Sequence, residues 1–402
     1  MTKVFIVGAK RTAMGSFLGS LSSVPAARLG AAAIASALDQ AKVNPALLDE
    51  VIVGNVLGAN QGMGPGRQAA IYAGIPETVP AYTVNMICGS GMKTIMEAAS
   101  HIKAGDAGLA VAAGMECMSQ APFALPGSSR SGHKMGPQSL TDTMVVDGLT
   151  DVFNNYHMGI TAENLAEKFD ISRKEQDAFA LKSQQRAYAA VQEGLFDDEI
   201  TPVEVKSRKQ TLIFKRDEFP RADASMEGLA KLKPAFKPEG TVTAGNASGI
   251  NDGGVAFVLA SEDAVKAHNL TPLAELVSYG QGGVDPAIMG YGPVPAIAQA
   301  LSRADMKLES MQRLELNEAF AAQSLAVMKG LSKDHDVPMS WFEDKTNVTG
   351  GAIALGHPLG ASGGRITTTL LYGMLRDGLD YGLASLCIGG GMGTAVILRR
   401  IS

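Results

Sequence analysis

Three residues far apart along the chain carry most of its reactive potential: Cys88, His357 and Cys387. Cys88 follows the apolar stretch Tyr82-Thr-Val-Asn-Met-Ile87 and precedes Gly89-Ser-Gly91. This pattern predicts a strand, then the thiol, then a helix over Gly89–Lys103. A thiol at a helix N-terminus meets unpaired backbone N–H groups and the positive end of the helix dipole. Both favour thiolate over thiol, so Cys88 is expected to have a lowered pKa and to act as a nucleophile. Gly89 and Gly91 leave space for a substrate to approach. A solitary cysteine is more often a buried apolar side chain; the strand–Cys–Gly–Ser–Gly–helix context turns the reading toward chemistry.

His357 lies in Asn347-Val-Thr-Gly-Gly-Ala-Ile-Ala-Leu-Gly-His-Pro-Leu-Gly-Ala-Ser-Gly363. Glycines and a proline fix the backbone around the imidazole, which a merely buried histidine does not need; the plain alternative is a loop histidine near the surface. A positioned histidine can take a thiol proton or hydrogen-bond a forming oxyanion. Cys387 sits in Leu386-Cys-Ile-Gly-Gly-Gly-Met-Gly-Thr394. A phosphate loop would lead from a strand into a helix, but Thr394–Leu398 is another β-branched run. The glycines therefore form a turn between two strands, with N–H groups free to face a ligand and Cys387 placed as an acid or base. Asn317 ends the strand expected at Arg313–Leu316; its plain role is a helix cap, its alternative an oxyanion-hole donor.

Several kinds of element must position these groups. Over the first 115 or so residues, apolar runs at Val4–Val7, Val51–Val56 and Leu109–Ala113 read as strands. They alternate with helical stretches such as Pro25–Lys42, which implies βαβ units and a largely parallel sheet. From about Pro122 to Gly249 the chain becomes richer in Gly, Ser, Pro and charge, with one helix expected over Glu163–Gln192. This span reads as an insertion, and alternation resumes near Gly254–Ala260. The two halves resemble each other: Cys88-Gly-Ser-Gly91 and Gly360-Ala-Ser-Gly363 each open a helix. Asp106-Ala-Gly-Leu-Ala110 and Asp380-Tyr-Gly-Leu-Ala384 each lead into a strand, in the same order and at nearly the same spacing. Duplication follows, with two equivalent strand-to-helix turns able to face each other.

The 402 residues suffice for two or three domains, and 46% hydrophobic with 19% charged residues is ordinary for a globular protein. A net charge of -5 gives no nucleic-acid footprint. No apolar run reaches the roughly 18 residues of a membrane helix. Three widely spaced cysteines without a CxxC pair make neither a disulfide framework nor a zinc site. Without a signal peptide or a lipidation ending, a cytoplasmic location is expected.

At this point the chain resembles the thiolases along nearly its whole length, most strongly the short-chain biosynthetic acetoacetyl-CoA thiolases. The matching stretches are Val84–Gly91, Tyr156–Asn164, Thr241–Ser248, Asn317–Phe320, Asn347–Gly363 and Cys387–Gly393, in that order. The resemblance implies an α/β fold of two duplicated βαβαβαββ halves in a layered αβαβα arrangement with an inserted loop domain. The halves would be 1–121 plus 250–272 and 273–402, and 122–249 the insertion that binds coenzyme A. It implies condensation of two acetyl-CoA to acetoacetyl-CoA and CoA, reversible as thiolysis, with no tightly bound cofactor and no metal. Cys88 would be the nucleophile, His357 its activator and Cys387 the acid/base of the condensation. Asn317, through a water, would form one oxyanion hole with His357. The N–H groups of Cys88 and Gly389 would form the other.

The same resemblance places His157 and Met158 along the pantetheine and acyl channel, Ser248 on the pantetheine amide and Arg221 near the adenine and phosphates. Phe236, Ala244, Met289, Ala319 and Phe320 would shape the small pocket. Gly228 and Tyr291 depart from the family pattern at positions expected to contact cofactor and acyl group. Homo-oligomerisation follows as well, as a tetramer or a dimer, with Ser119–Gln138 similar to the tetramer-forming loop. Three other readings stand beside this one. They are a degradative 3-ketoacyl-CoA thiolase of broader chain length, a decarboxylating condensing enzyme, and a non-catalytic CoA- or lipid-binding relative.

Overall fold

The computed structural model describes residues 2–206 and 210–401. Met1 and Ser402, the outer limits of the two expected halves, and 207–209 of the expected insertion lie outside the described residues. The first half runs β1 (Val4–Thr12), α1 (Ala26–Ala41), β2 (Glu50–Gly54), α2 (Pro65–Tyr72), β3 (Ala81–Val84), α3 (Ser90–Ala104) and β4 (Leu109–Cys117). The intervening stretch contributes α4 (Gly159–Lys168) and α5 (Arg173–Gln192). Then come β5 (Asn251–Ser261), β6 (Ala274–Gly283), α6 (Pro293–Ala304), β7 (Arg313–Leu316), α7 (Ala321–His335), α8 (Leu359–Asp377), β8 (Tyr381–Ile388) and β9 (Met392–Arg400).

The strands line up in the order β7-β8-β9-β6-β1-β5-β4-β2-β3, and β6 and β1 touch only at Phe5–Ile6. Each side of that narrow junction repeats one pattern. β1–β5–β4 and β6–β9–β8 are antiparallel, whereas β4–β2 and β8–β7 are parallel. β3 extends the first series in parallel, and a parallel bridge from Leu314 to Thr346 stands in the same place in the second. The sheet is therefore mixed, and the expectation of a largely parallel one is corrected. The Gly389–Gly391 turn sends β9 back along β8, as the glycine run there predicts, and β5 returns through the insertion to lie antiparallel between β1 and β4. Alternation of strands and helices does not record the second reversal.

Side-chain alternation shows the layering. On β5, Val255, Phe257 and Leu259 face a central core with α3 and α8, while Ala256, Val258 and Ala260 face α1. On β9, Val396 and Leu398 face the same centre, while Ala395 and Ile397 face α6 and α7. The result is helix, sheet, helix, sheet, helix. Strands covered on both faces need continuous apolar sequence, and every residue of β4 and β5 is buried. The central helices come close at glycines: a Cβ on Gly91 would sit 2.8 Å from the Gly360 carbonyl oxygen. One on Gly363 would sit 2.6 Å from the Met92 nitrogen.

The single helix expected over Glu163–Gln192 is two helices. The chain turns at Asp170, whose φ is +48°, and α5 restarts at Ser172 with a capping box. The Ser172 hydroxyl accepts from the Glu175 N–H, and the Glu175 carboxylate accepts from the Ser172 N–H at 2.7 Å. The Ser-x-x-Glu spacing is a start signal that apolar periodicity alone passes over.

Candidate active site

Cys88 sits between the end of β3 and the start of α3. Asn85 Oδ1 accepts the Ile87 N–H at 3.0 Å, and Ser90 Oγ accepts the Met86 N–H at 2.8 Å while donating to the Ile87 carbonyl at 2.6 Å. This clasp holds Ile87 at φ +46°, a left-handed conformation unfavourable for a β-branched residue. The sharp reversal directs Cys88 into a cavity of about 430 Å³. Cys387, the penultimate residue of β8, and His357, just ahead of α8, line the same cavity.

Two backbone N–H groups, from Gly389 and from Cys88 itself, point at the Cys88 thiol. Gly390 and Gly391, at φ +85° and +86°, make the tight turn that brings the first of these into place. Burial nevertheless pushes the Cys88 thiol up to about 11, outweighing both donors, and the expected lowering of its pKa is corrected. The Cys387 thiol is also pushed up, first by burial and then by the neighbouring Cys88. His357 is held down to about 3 by burial and then by the Arg365 charge. Burial thus favours the uncharged thiol and the uncharged imidazole, and a thiolate at Cys88 requires that its proton move to another group.

The imidazole is held from several elements. Its backbone N–H donates to Asn251 Oδ1 at 2.9 Å, and the Asn251 Nδ2 donates to the Gly15 carbonyl at 3.0 Å. Nδ1 lies 2.6 Å from Ser362 Oγ, whose hydroxyl donates to the Pro358 carbonyl. With its one proton used there, Ser362 accepts from Nδ1–H, which leaves Nε2 as the ring's acceptor. Asn317 is not a helix cap: α7 begins at Ala321, and the Asn317 amide nitrogen lies 3.4 Å from His357 Nδ1. Asn317 and Gly389 stand behind the cavity wall, Gly389 reaching it through its N–H.

The other walls come from the residues expected there and some that were not. His157, Met158, Phe236, Ala244, Ser248, Met289, Ala319 and Phe320 all line the cavity. His157 stacks on Phe236 with ring centroids 4.5 Å apart, and Phe320 meets Phe236 edge-on at 6.2 Å. The Asn246–Ser248 segment docks like a short strand, with the Ser248 N–H donating to the Ala319 carbonyl and the Ala321 N–H to the Asn246 carbonyl. Arg221 is exposed and outside the lining, with its guanidinium 5.9 Å from the ring of Phe219, which does line it. Tyr291 packs on Phe169 and Gly330, away from the cavity, and Gly228 is exposed with its N–H on Ser225 Oγ. Asn251, Ser362, Leu149 and Phe219 were missed. Only Ser362, inside the Gly-Ala-Ser-Gly motif, had a local signal.

The chain matches the family model described as the thiolase N-terminal domain over residues 4–263 and that of the thiolase C-terminal domain over 270–400. It is 54% identical over 401 residues to an acetyl-CoA acetyltransferase of Cupriavidus necator, covering 100% of both chains. A solved acetyl-CoA acetyltransferase from Syntrophomonas wolfei superposes with a TM-score of 0.97 at 41% identity, covering 100% of both chains. Human mitochondrial 3-ketoacyl-CoA thiolase in complex with CoA superposes with a TM-score of 0.93 at 46% identity, covering 100% of this chain and 98% of that one. With two thiols and an imidazole from distant parts of the chain meeting in one cavity, and both domain models matched end to end, this protein belongs to the thiolase family.

Proposed function

We propose that this chain is an acetyl-CoA acetyltransferase that joins two acetyl-CoA into acetoacetyl-CoA and CoA, and runs in reverse as thiolysis. The convergence of Cys88, His357 and Cys387 on one cavity carries this reading, supported by the full-length likeness to acetyl-CoA acetyltransferases. His357 Nε2 takes the Cys88 proton as the sulfur attacks the thioester carbonyl of acetyl-CoA. The CoA thiolate leaves with a proton from Cys387, and acetyl-Cys88 remains. The Cys387 thiolate, a strong base because burial disfavours it, removes a methyl proton from a second acetyl-CoA. The resulting carbanion attacks acetyl-Cys88, acetoacetyl-CoA departs, and the Cys88 sulfur recovers its proton from His357.

The N–H groups of Cys88 and Gly389 serve one developing oxyanion, and His357 with a water on Asn317 the other. Residues 122–249, inserted between the β-rich parts of the first half, supply the CoA channel past His157, Met158 and Ser248, with Arg221 at its rim. No tightly bound cofactor is needed, because the sulfurs and the imidazole suffice for these steps. Exposed Phe123, Leu125 and Met135 support an oligomer, a tetramer or a dimer, built through the Ser119–Gln138 loop. No described helix is long and apolar enough to cross a membrane, and a cytoplasmic location is part of the reading.

Incubation with [14C]acetyl-CoA and mass analysis of the Cys88 peptide tests it. An acetyl adduct chased by unlabelled acetyl-CoA is expected, and a folded preparation without one would favour a non-catalytic binding protein. The likeness to human mitochondrial 3-ketoacyl-CoA thiolase favours a second reading, a degradative enzyme of broader chain length. Thiolysis of acetoacetyl-CoA against C10 and longer 3-ketoacyl-CoA separates the two.

A further inference from the structure

Behind the catalytic group lies a second polar pair that the steps above do not use. Glu315 precedes Asn317 by two residues on and just beyond β7, and so shares its sheet face. Arg365 follows Ser362 by three residues on α8, and so shares its helix face. β7 and α8 pack directly together. The gap between them is therefore spanned twice, by Asn317–His357–Ser362 and, one step deeper, by Glu315 and Arg365.

This pair is not an ordinary buried salt bridge. Arg365 is 1% exposed and its closest carboxylate oxygen, on Glu315, is 4.0 Å away. Among the described residues, none of its three guanidinium nitrogens has a hydrogen-bond partner, nor has Glu315 Oε2. Arg11, equally buried, shows the contrast: it holds Glu199 at 2.6 Å and Asp217 at 2.7 and 2.8 Å. The remaining charges around Arg365 are Glu318, Glu199 and Arg11, with Arg313 facing Glu315. Glu199 and Arg11 are bound to each other. Glu318 accepts from Ser183, Asn347 and the Ile353 N–H. Burial pushes the Glu315 carboxyl up and so disfavours its charge, which makes it a weak counterweight to the guanidinium.

A buried cation without hydrogen-bond partners is costly, and such costs gather at functional sites. We propose that Arg365 is a positioning residue for acyl transfer: a cation without hydrogen-bond partners, one step behind Asn317 and His357, whose field favours the negative charge that develops on the thioester and enolate oxygens. The same field makes the imidazole reluctant to accept a proton until an oxyanion forms beside it. Proton transfer from Cys88 and attack on the thioester are thereby coupled.

The inference rests on His357 acting in acyl transfer, so His357→Ala is measured in parallel on the full-length enzyme. If that variant acetylates Cys88 at the normal rate, the role of His357 fails first, and this inference with it. Arg365→Met should slow acetylation of Cys88 about 10- to 100-fold, less than the 10²–10³ lost with a direct oxyanion donor. KM for acetyl-CoA should stay within about twofold, because the site of binding is untouched. The imidazole of His357, followed by NMR of 13C-labelled histidine, should titrate at higher pH. Arg365→Lys should restore most of the rate, and Glu315→Gln should leave it within about threefold. A folded Arg365→Met enzyme with normal acetylation and an unmoved His357 titration would overturn the inference. Should Arg365→Met not fold, Arg365→Lys decides: a rate as low as that of His357→Ala overturns it, and a rate near normal upholds it.

Discussion

The backbone N–H of Gly389 points at the thiol of Cys88, so a turn in the second half completes the environment of a thiol presented by the first. Gly389 is also packed against Met158, and a Cβ there would press on the Met158 methyl and lie 3.3 Å from its sulfur. Gly389→Ala should fold, because the end of a methionine can move, but the methyl is pushed toward the acyl cavity. We expect kcat/KM for acetoacetyl-CoA thiolysis to fall about tenfold, a loss of about 1.4 kcal/mol in transition-state stabilisation. Combining it with Met158→Ala should return part of that loss; a double variant no better than the single one would contradict the packing explanation.

The two buried thiols are expected to separate under mutation. Cys88→Ala should abolish both half-reactions. Cys387→Ala should still form acetyl-Cys88 from acetyl-CoA, more slowly, while condensation stops. Rapid quench with peptide mass analysis distinguishes the two, and equal loss of both steps in Cys387→Ala would disprove the division of labour.

The raised Cys88 pKa has a definite sign in solution. At pH 7.5 less of it is thiolate than of an exposed cysteine, so alkylation by iodoacetamide in the absence of substrate should be slow. The rate should keep climbing through pH 9 toward pH 10, without a plateau near neutrality. Linkage runs the same way. The stability contributed by keeping this thiol protonated is fully present below the unfolded pKa near 9 and is lost as pH rises toward about 11. Alkylation followed by mass analysis across pH 6–10 is the check.

Ser172→Ala removes the acceptor for the Glu175 N–H at the start of α5 and should cost about 1 kcal/mol of stability. Because α5 also carries Ser183, which donates to Glu318 beside Asn317, hydrogen exchange should quicken at the α5 N-terminus first. Urea titration and exchange mass spectrometry measure both, and uniform quickening across α5 would argue against a local cap.

Much of the site was legible because local sequence rules bear on it directly. Strand–Cys–Gly–Ser–Gly–helix placed Cys88, the glycine run after Ile388 announced a turn, and the Gly-His-Pro context marked His357. Asn251 was not legible: a strand residue that accepts the His357 N–H from the far side of the fold leaves no trace in its neighbours. The pair Glu315 and Arg365 was equally hidden, since each reads alone as an ordinary charged residue on a strand or a helix.

By itself, then, the amino-acid order determined which groups can react and which short elements present them, because capping, turn geometry and apolar periodicity are properties of adjacent residues. Tertiary structure alone decided the strand direction of β5, the meeting of Cys88 with Cys387 and His357, and the direction in which their proton equilibria move. Dipole and backbone donors near Cys88 could be inferred locally, but the desolvation that outweighs them depends on every layer packed around the cavity.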